Sequence, residues 1–600
     1  MRRRPLNDGC LGAGRISPLT MFARLTSPTA IAAVAVCLAA TVPFLSTLGV
    51  YFLGDDFGLI HLFSRKPSLH WLTLFTRPWT EVIYGSRADE LRPMVALSYQ
   101  IDWMAGGVLP QAYHVSSIVF HMINSLLVLW IARGVVRLGL VASAFAALLF
   151  AVMSVHVETV AWISGRADSI PALFYLSALI AYARWRQTGR LRIYGVSLAA
   201  FFLALFSKQS AITMVGTLVL YDWLMEKGWS RRSWKALIPY VPFGALTVGY
   251  LALRFVLFGN VVREQTMTVQ MLTTFVGRQA RYLARFGLTP RSTGLEGLGW
   301  DLVGAGLGLI ILALLAASFY GCYRASRSGK PVGRAGQTEP ATAVLGGPAR
   351  FPEGSIPAAP GLGTWLFFGP AWWVITIAPL VVTYFSSRHL YLPSVGVALV
   401  LAMGAQALWG VRSRTLRSAS TVLSTGLLLG ELLVLLWGVE HWNAVGRLSE
   451  KMHADLQREI AAARPGSLVL LGAPPTGDYS YFHTWSWAFA LPFVLEPPFM
   501  PAGLAGRVSV VSRPLVYCCP NDLWLPDVHN AVSAWAAHPG RPPVVALAWA
   551  LPSGELIRRT DSDDPSLRER TVRLLEAQSP SGLSKAVDAL LRPLGGTAAR

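Results

Sequence analysis

The sequence predicts an all-α polytopic membrane protein with a small C-terminal α/β domain, and three observations carry that class. First, 53% of the 600 residues are hydrophobic and 14% charged, whereas a soluble domain carries about 25% charged residues. Second, uncharged runs such as 26–54 and 103–132 exceed the roughly 20 residues needed to cross a bilayer. Third, the basic residues behind the net charge of +20 cluster in short segments between those runs. That is the positive-inside pattern and not a continuous basic face, so nucleic acid is not an expected partner.

Taken in order, residues 1–28 form a basic cytoplasmic start with Arg2, Arg3, Arg4, Arg15 and Arg24. The first span is read as an uncleaved signal anchor, with a cleaved signal peptide as the alternative. Spans are expected near 29–53, 112–132, 138–156, 168–183, 191–207, 209–225, 236–258, 302–323, 364–385, 389–411 and 418–439, about eleven in all. The short pair 191–207 and 209–225 is alternatively a re-entrant hairpin, which leaves the orientation downstream unchanged. With the N-terminus inside, about 23 basic residues fall on inner loops and about 14 on outer ones. The transmembrane domain therefore occupies 29–440, and the soluble tail 441–600 lies outside.

Within this frame, 54–111 is a first outer loop with interfacial helices, and 259–301 is an outer loop. In the latter, "MLTTFVGRQARYLARFGL" puts Arg278, Arg281 and Arg285 on one broad helix face. Segment 324–363, rich in Gly, Pro and Ala, is expected as a disordered cytoplasmic loop. In the tail, a charged helix at 443–463 precedes "SLVLLGAP", read as a strand. Cys10, Cys37 and Cys322 are scattered, so no disulfide framework or zinc spacing exists. Adjacent Cys518 and Cys519 are read as free thiols, with a vicinal disulfide as the alternative.

The polar groups able to do chemistry collect at the outer span ends: Asp55 and Asp56, "DELRP" (89–93), His114 and His121, "HVETVAWISGRAD" (156–168), "SKQS" (207–210) and "SSRHLYLP" (386–393). Ionisable groups are costly at such depth, so each is a functional candidate. Bland alternatives stand beside them. The acid pair caps the next helix, His114 and His121 are core hydrogen-bond donors, Arg166 pairs structurally with Asp168, and Lys208 or Arg388 snorkels to the interface. Glu431 is expected to be paired inside the bundle. Asp55 and Asp56 are the one place where a divalent cation would fit, though further oxygen ligands are not apparent. No Walker loop, dinucleotide fingerprint or nucleophile elbow occurs.

Five stretches carry a family likeness: "LRPMVALSYQIDW", "AYHVSSIVFHMINSLLV", "LFAVMSVHVETVAWISGRADSIPALFYL", "FSKQSAITMVGTLVLYD" and "SSRHLYLPSVGVALVLA". In that order, across roughly 50–405, they resemble the GT-C integral-membrane glycosyltransferases. The likeness is nearest to the transmembrane O-mannosyltransferases that carry tetratricopeptide repeats, and more distant to the protein O-mannosyltransferases. The chain departs from them in having no repeat array and in Gln209, where the family commonly has Glu; the tail is similar to the outer domain of bacterial relatives.

The resemblance implies a GT-C fold in a bacterial inner membrane, with the active site and tail periplasmic. The donor would be a sugar, such as mannose, on a polyprenyl phosphate, and the acceptor a hydroxyl of protein, glycan or lipid. Asp55 would be the general base of an inverting transfer and Asp56 would orient the acceptor. Arg388 and Lys208, then Arg92 and Arg166, would hold the donor phosphate. His156, Glu158, Asp168, His389 and Tyr391 would contact the sugars. A lipid-linked-sugar flippase or transporter is the alternative, favoured by broken helices or internal symmetry, and the sequence reveals neither. An O-antigen ligase or polymerase is a further alternative, expected to carry its large outer loop late in the chain.

Overall fold

The computed structural model describes residues 27–81, 89–225, 234–261, 269–284, 298–327, 360–382, 386–472, 487, 490–512, 525–550 and 555–591. The expected disordered loop at 324–363 lies almost wholly outside these residues, as do Cys10, Cys518, Cys519 and Arg285. Among the described residues six helices are long and apolar enough to cross a membrane: Pro28–Gly49, Pro110–Val135, Lys235–Phe258, Leu302–Arg327, Leu362–Val381 and Arg414–Ala462. Helices Leu191–Leu205 and Pro393–Trp409 are apolar but shorter. The spans expected at 168–183 and 209–225 fall on Arg166–Thr188 and Met214–Met225, which do not meet that measure of length and composition.

A further candidate, Leu140–Val152 with Ser154–Ala161, is bent by 46°. The sequence revealed no broken helix, and this is a correction. No proline or glycine marks the break at Met153, because its cause lies elsewhere in the chain. The Ser154 N–H freed at the bend donates to Glu431 Oε2 of the last helix at 2.9 Å, so the exposed helix end is satisfied from outside. Glu431 is thereby held inside the bundle, as expected.

Helix surfaces reflect the bilayer. Leu309 and Val422 are each 69% exposed on outward faces, whereas small residues line the contacts. A Cβ at Gly404 would stand 2.0 Å from Leu314 O, so only glycine allows Pro393–Trp409 to meet Leu298–Arg327 this closely.

The charged helix expected at 443–463 is not separate. Arg414–Ala462 is one 49-residue helix that leaves the apolar region without a break and carries the tail. Beyond it, a four-stranded sheet in the order β2-β1-β3-β4 is built from β1 (Leu468–Leu471), β2 (Ser509–Ser512), β3 (Val544–Ala550) and β4 (Glu555–Thr560). The "SLVLLGAP" stretch supplies β1, which pairs in parallel with β2 and β3, while β4 is antiparallel to β3. β1 is buried along its whole length, which explains its continuous apolar run.

The tail also packs on the first outer loop. Phe52, Phe57, Met452, Trp487 and Phe499 share one buried cluster, and the Phe57 and Phe499 rings stand 4.9 Å apart. Tyr51 and His453 are hydrogen-bonded at 2.7 Å, and Arg65 pairs with Glu496 at 3.0 Å. The helix that begins with the acid pair is therefore fixed from the tail side as well as from the bundle.

Candidate active site

The apolar run ends at Gly54, whose φ of 51° turns the chain into helix Asp55–Ser64. Asp55 and Asp56 occupy its first turn, where unpaired N–H groups favour negative charge. The two acids then part. Asp55 is partly accessible, whereas Asp56 is 1% exposed. Asp56 Oδ1 accepts from Ser164 N at 3.0 Å and Ser164 Oγ at 2.5 Å, and Oδ2 accepts from Leu53 N at 3.1 Å. Burial pushes the Asp56 carboxyl up to about 7, while the Ser164 and Leu53 donors pull it down. Oδ1 thus serves an N–H and an O–H donor, and Oδ2 an N–H donor. Among the described residues no three or more His, Cys, Asp or Glu gather in a metal-ligand arrangement.

The two Ser164 donors to Asp56 come from the tight turn Ile163–Gly165. A Cβ at Gly165 would stand 2.3 Å from Glu158 O, so the turn lies flat on Val157–Ala161. Arg166 anchors it from behind. Its Nε donates to Ile163 O, Nη1 to Ser98 and Asp102, and Nη2 to Tyr113 O. The structural pairing expected between Arg166 and Asp168 is corrected: residues two apart on a helix face different ways, and Arg166 pairs with Asp102. Fully buried, with Nε, Nη1 and Nη2 all engaged, Arg166 is not open to a phosphate.

Asp168 faces the cation cluster instead. It pairs with Lys208, and its Oδ2 lies 3.7 Å from Arg388 Nε. Arg388 Nε is also 3.7 Å from Glu158 Oε1. Glu158 is in turn held by Ser386 Oγ at 2.5 and 2.6 Å and by Arg388 N at 3.3 Å. Lys208 and Arg388 side chains are each 14% exposed, so neither snorkels away; each is held by carboxylates.

Lys208 ends the break after Leu191–Leu205 and starts the turn Gln209–Thr213. Arg92 comes alongside because Met94 N donates to Phe206 O at 3.3 Å, and Pro93 opens the following helix as prolines at the first position do. Arg92 interacts electrostatically with Lys208 and His389. It is paired with Glu90 at 2.9 Å, and its Nε is buried with no partner among the described residues. Arg254 steadies this segment through Asp89 O at 2.6 Å and Asp89 Oδ2 at 3.1 Å.

Asp168, Lys208 and His389 line a cavity of ≈ 40 Å³ with apolar Pro171, Leu380 and Leu392, room for a few water-sized groups. Not every expected sugar contact is found at this cavity. His156 is fully buried between Phe150 and Tyr391, at ring distances of 4.5 and 4.6 Å, and bonds Ser394 Oγ at 2.8 Å. Tyr391 OH meets His121 at 2.9 Å and Asn124 at 3.2 Å. His114 bonds Val50 O at 2.9 Å. These groups belong to the core that seats the site, as the bland reading of His114 and His121 has it.

Trp162 joins the two halves. Its Nε1 donates to Leu53 O at 3.3 Å, beside the acid pair, and its ring lies 5.0 Å from Arg388 Cζ, a cation–π distance. Trp162, Ser164, Asp102, Arg254 and Ser386 were not singled out from sequence. For Trp162 and Ser164 the signal was their place inside "HVETVAWISGRAD", for Ser386 its place in "SSRHLYLP" and for Asp102 its place in "LRPMVALSYQIDW"; Asp102, Arg254 and Ser386 act through partners more than 60 residues away.

No family model matches the chain. A 169-residue stretch is 28% identical to the protein O-mannosyl-transferase TMTC3 of Homo sapiens, covering 27% of this chain and 18% of that protein. A 197-residue stretch is 33% identical to the protein O-mannosyl-transferase Tmtc1 of Drosophila melanogaster, covering 32% and 22%. The chain thus resembles the transmembrane O-mannosyl-transferases, and spans about a fifth of the length of these curated relatives. Among solved structures, ArnT from Cupriavidus metallidurans bound to undecaprenyl phosphate aligns at TM-score 0.41 and 13% identity over 86% of this chain and 92% of that one. The oligosaccharyltransferase of Archaeoglobus fulgidus aligns at TM-score 0.40 and 12% identity over 79% and 65%.

Proposed function

We propose that this chain is a membrane glycosyltransferase that moves a sugar, mannose by resemblance, from a polyprenyl phosphate to an acceptor hydroxyl. The reaction takes place on the outer, periplasmic side of a bacterial inner membrane crossed by about eleven spans. The observation that carries the reading is the buried Lys208–Asp168–Arg388–Glu158 cluster, linked through Trp162 to an acid pair with one accessible member. Asp55 takes the proton of the acceptor hydroxyl while its oxygen attacks the anomeric carbon. The anomeric carbon–oxygen bond to phosphate breaks with inversion, and its electron pair leaves on the polyprenyl phosphate. Arg388, Lys208 and Arg92 meet that growing charge, while Arg166 holds the turn behind Asp56. Asp168, Glu158 and His389 shape the donor end of the site.

The bent helix at Met153 favours one rival, a lipid-linked-sugar translocator, although its freed N–H is already met by Glu431. One experiment separates the two. Purified protein in liposomes, given radiolabelled polyprenyl-phosphate mannose and an envelope extract, is expected to release polyprenyl phosphate and label an acceptor. Intact labelled lipid that merely changes leaflet would overturn the reading in favour of transport.

The pH dependence follows from Asp56. The hydrogen bonds shown for its carboxyl oxygens are all accepted ones, so the site as built holds the carboxylate. With the group pushed up to about 7, it ionises above that pH and gains a proton as pH falls through it. Turnover at saturating donor is therefore expected to drop on the acid side with a midpoint about 7. Asp56→Asn should give a low rate without that limb.

A further inference from the structure

We propose that the turn Trp162–Gly165 sets the geometry between the acid pair and the phosphate-binding cations, with Ser164 and Trp162 as positioning residues. The inference rests on the glycosyltransferase reading and deepens it. Ser164 gives two of the three donors shown for Asp56, from backbone N and side-chain Oγ, and its hydroxyl is bridged to Tyr99 OH at 3.0 Å. Asp56 is the neighbour of Asp55 in the same helical turn, so clamping Asp56 orients Asp55 through the backbone.

Trp162 reaches both ways from the same turn. Its indole N–H holds Leu53 O, whose own N–H is bonded to Asp56, and its ring supports Arg388. The turn has little freedom of its own. Gly165 has no space for a Cβ against Glu158 O, and Arg166 ties Ile163 O to Ser98, Asp102 and Tyr113. A rigid template thus touches the acid side at two points and the cation side at one. The charged and titratable groups around Asp56 are Asp55, Arg166, Tyr99 and Tyr113.

The test uses the full-length protein and polyprenyl-phosphate mannose. Ser164→Ala is expected to lower kcat about 10-fold, as loss of one charge-assisted hydrogen bond would. Donor KM should stay unchanged and the acid limb should move to higher pH, because a donor that holds the carboxylate is gone. Ser164→Thr, which keeps the hydroxyl, should recover much of the rate. Trp162→Phe keeps a ring under Arg388 but loses the N–H, and should lower kcat alone. Trp162→Leu loses both and should also raise donor KM. Infrared titration of Asp56, assigned by subtracting Asp56→Asn, reports the clamp without turnover and should show the same upward shift in Ser164→Ala. An unmoved Asp56 titration in folded Ser164→Ala overturns the inference, as does a kcat loss there with no movement of the acid limb. Wild-type protein that makes no product, with the infrared shift still seen in Ser164→Ala, sinks the transferase reading and leaves the clamp standing.

Discussion

Asp55→Asn is expected to slow transfer by about 10²–10⁴-fold, the usual contribution of a general base, while expression and thermal stability stay at wild-type levels. Asparagine keeps the size of the side chain and its place in the first helical turn, but it cannot take up the acceptor proton. The structural basis is the division of labour within the pair. Asp56 is 1% exposed and committed to Ser164 and Leu53, so Asp55 is the acid with access to a substrate. Turnover of polyprenyl-phosphate mannose by purified, folded Asp55→Asn at the wild-type rate would remove Asp55 from the mechanism. A larger loss in Asp56→Asn than in Asp55→Asn would exchange their roles.

Arg388→Ala and Lys208→Ala are each expected to reduce transfer by roughly 10²–10³-fold, the scale of losing one preorganised group that stabilises developing charge. Arg388→Lys should remain well below wild type. A lysine keeps the charge, but not the planar fork that grips phosphate oxygens nor the guanidinium placed 5.0 Å from the Trp162 ring. Asp168 and Glu158 hold both cations, so the alanine variants leave these acids with less compensation. Folding must therefore be checked alongside the rate. Full activity in both alanine variants would exclude these residues as the phosphate site. The role would then pass to Arg92, since Arg166 is fully buried and tied to Asp102 and Tyr113.

By itself the sequence determined the membrane-spanning class, the collection of polar motifs near span ends and the identity of the cluster's principal members, Asp168, Lys208 and Arg388. These are local matters. A run of apolar residues is decided by transfer into the bilayer, and a charge at a span end stands out because it is costly there. Tertiary structure decided which partner each charge takes and which acid stays accessible. Arg166 meets Asp102 and not Asp168, Glu158 meets Ser386, and Glu431 ends a helix at Ser154 that no proline or glycine breaks. The tail helix likewise proved continuous with the last span. Asp55 and Asp56 are the same residue type side by side in sequence. Only the arrival of the Ile163–Gly165 turn beside the second makes one a buried acceptor and leaves the other accessible. Pairing depends on which segments adjoin in space, and distant residues supply the donor that offsets the cost of burying a carboxylate.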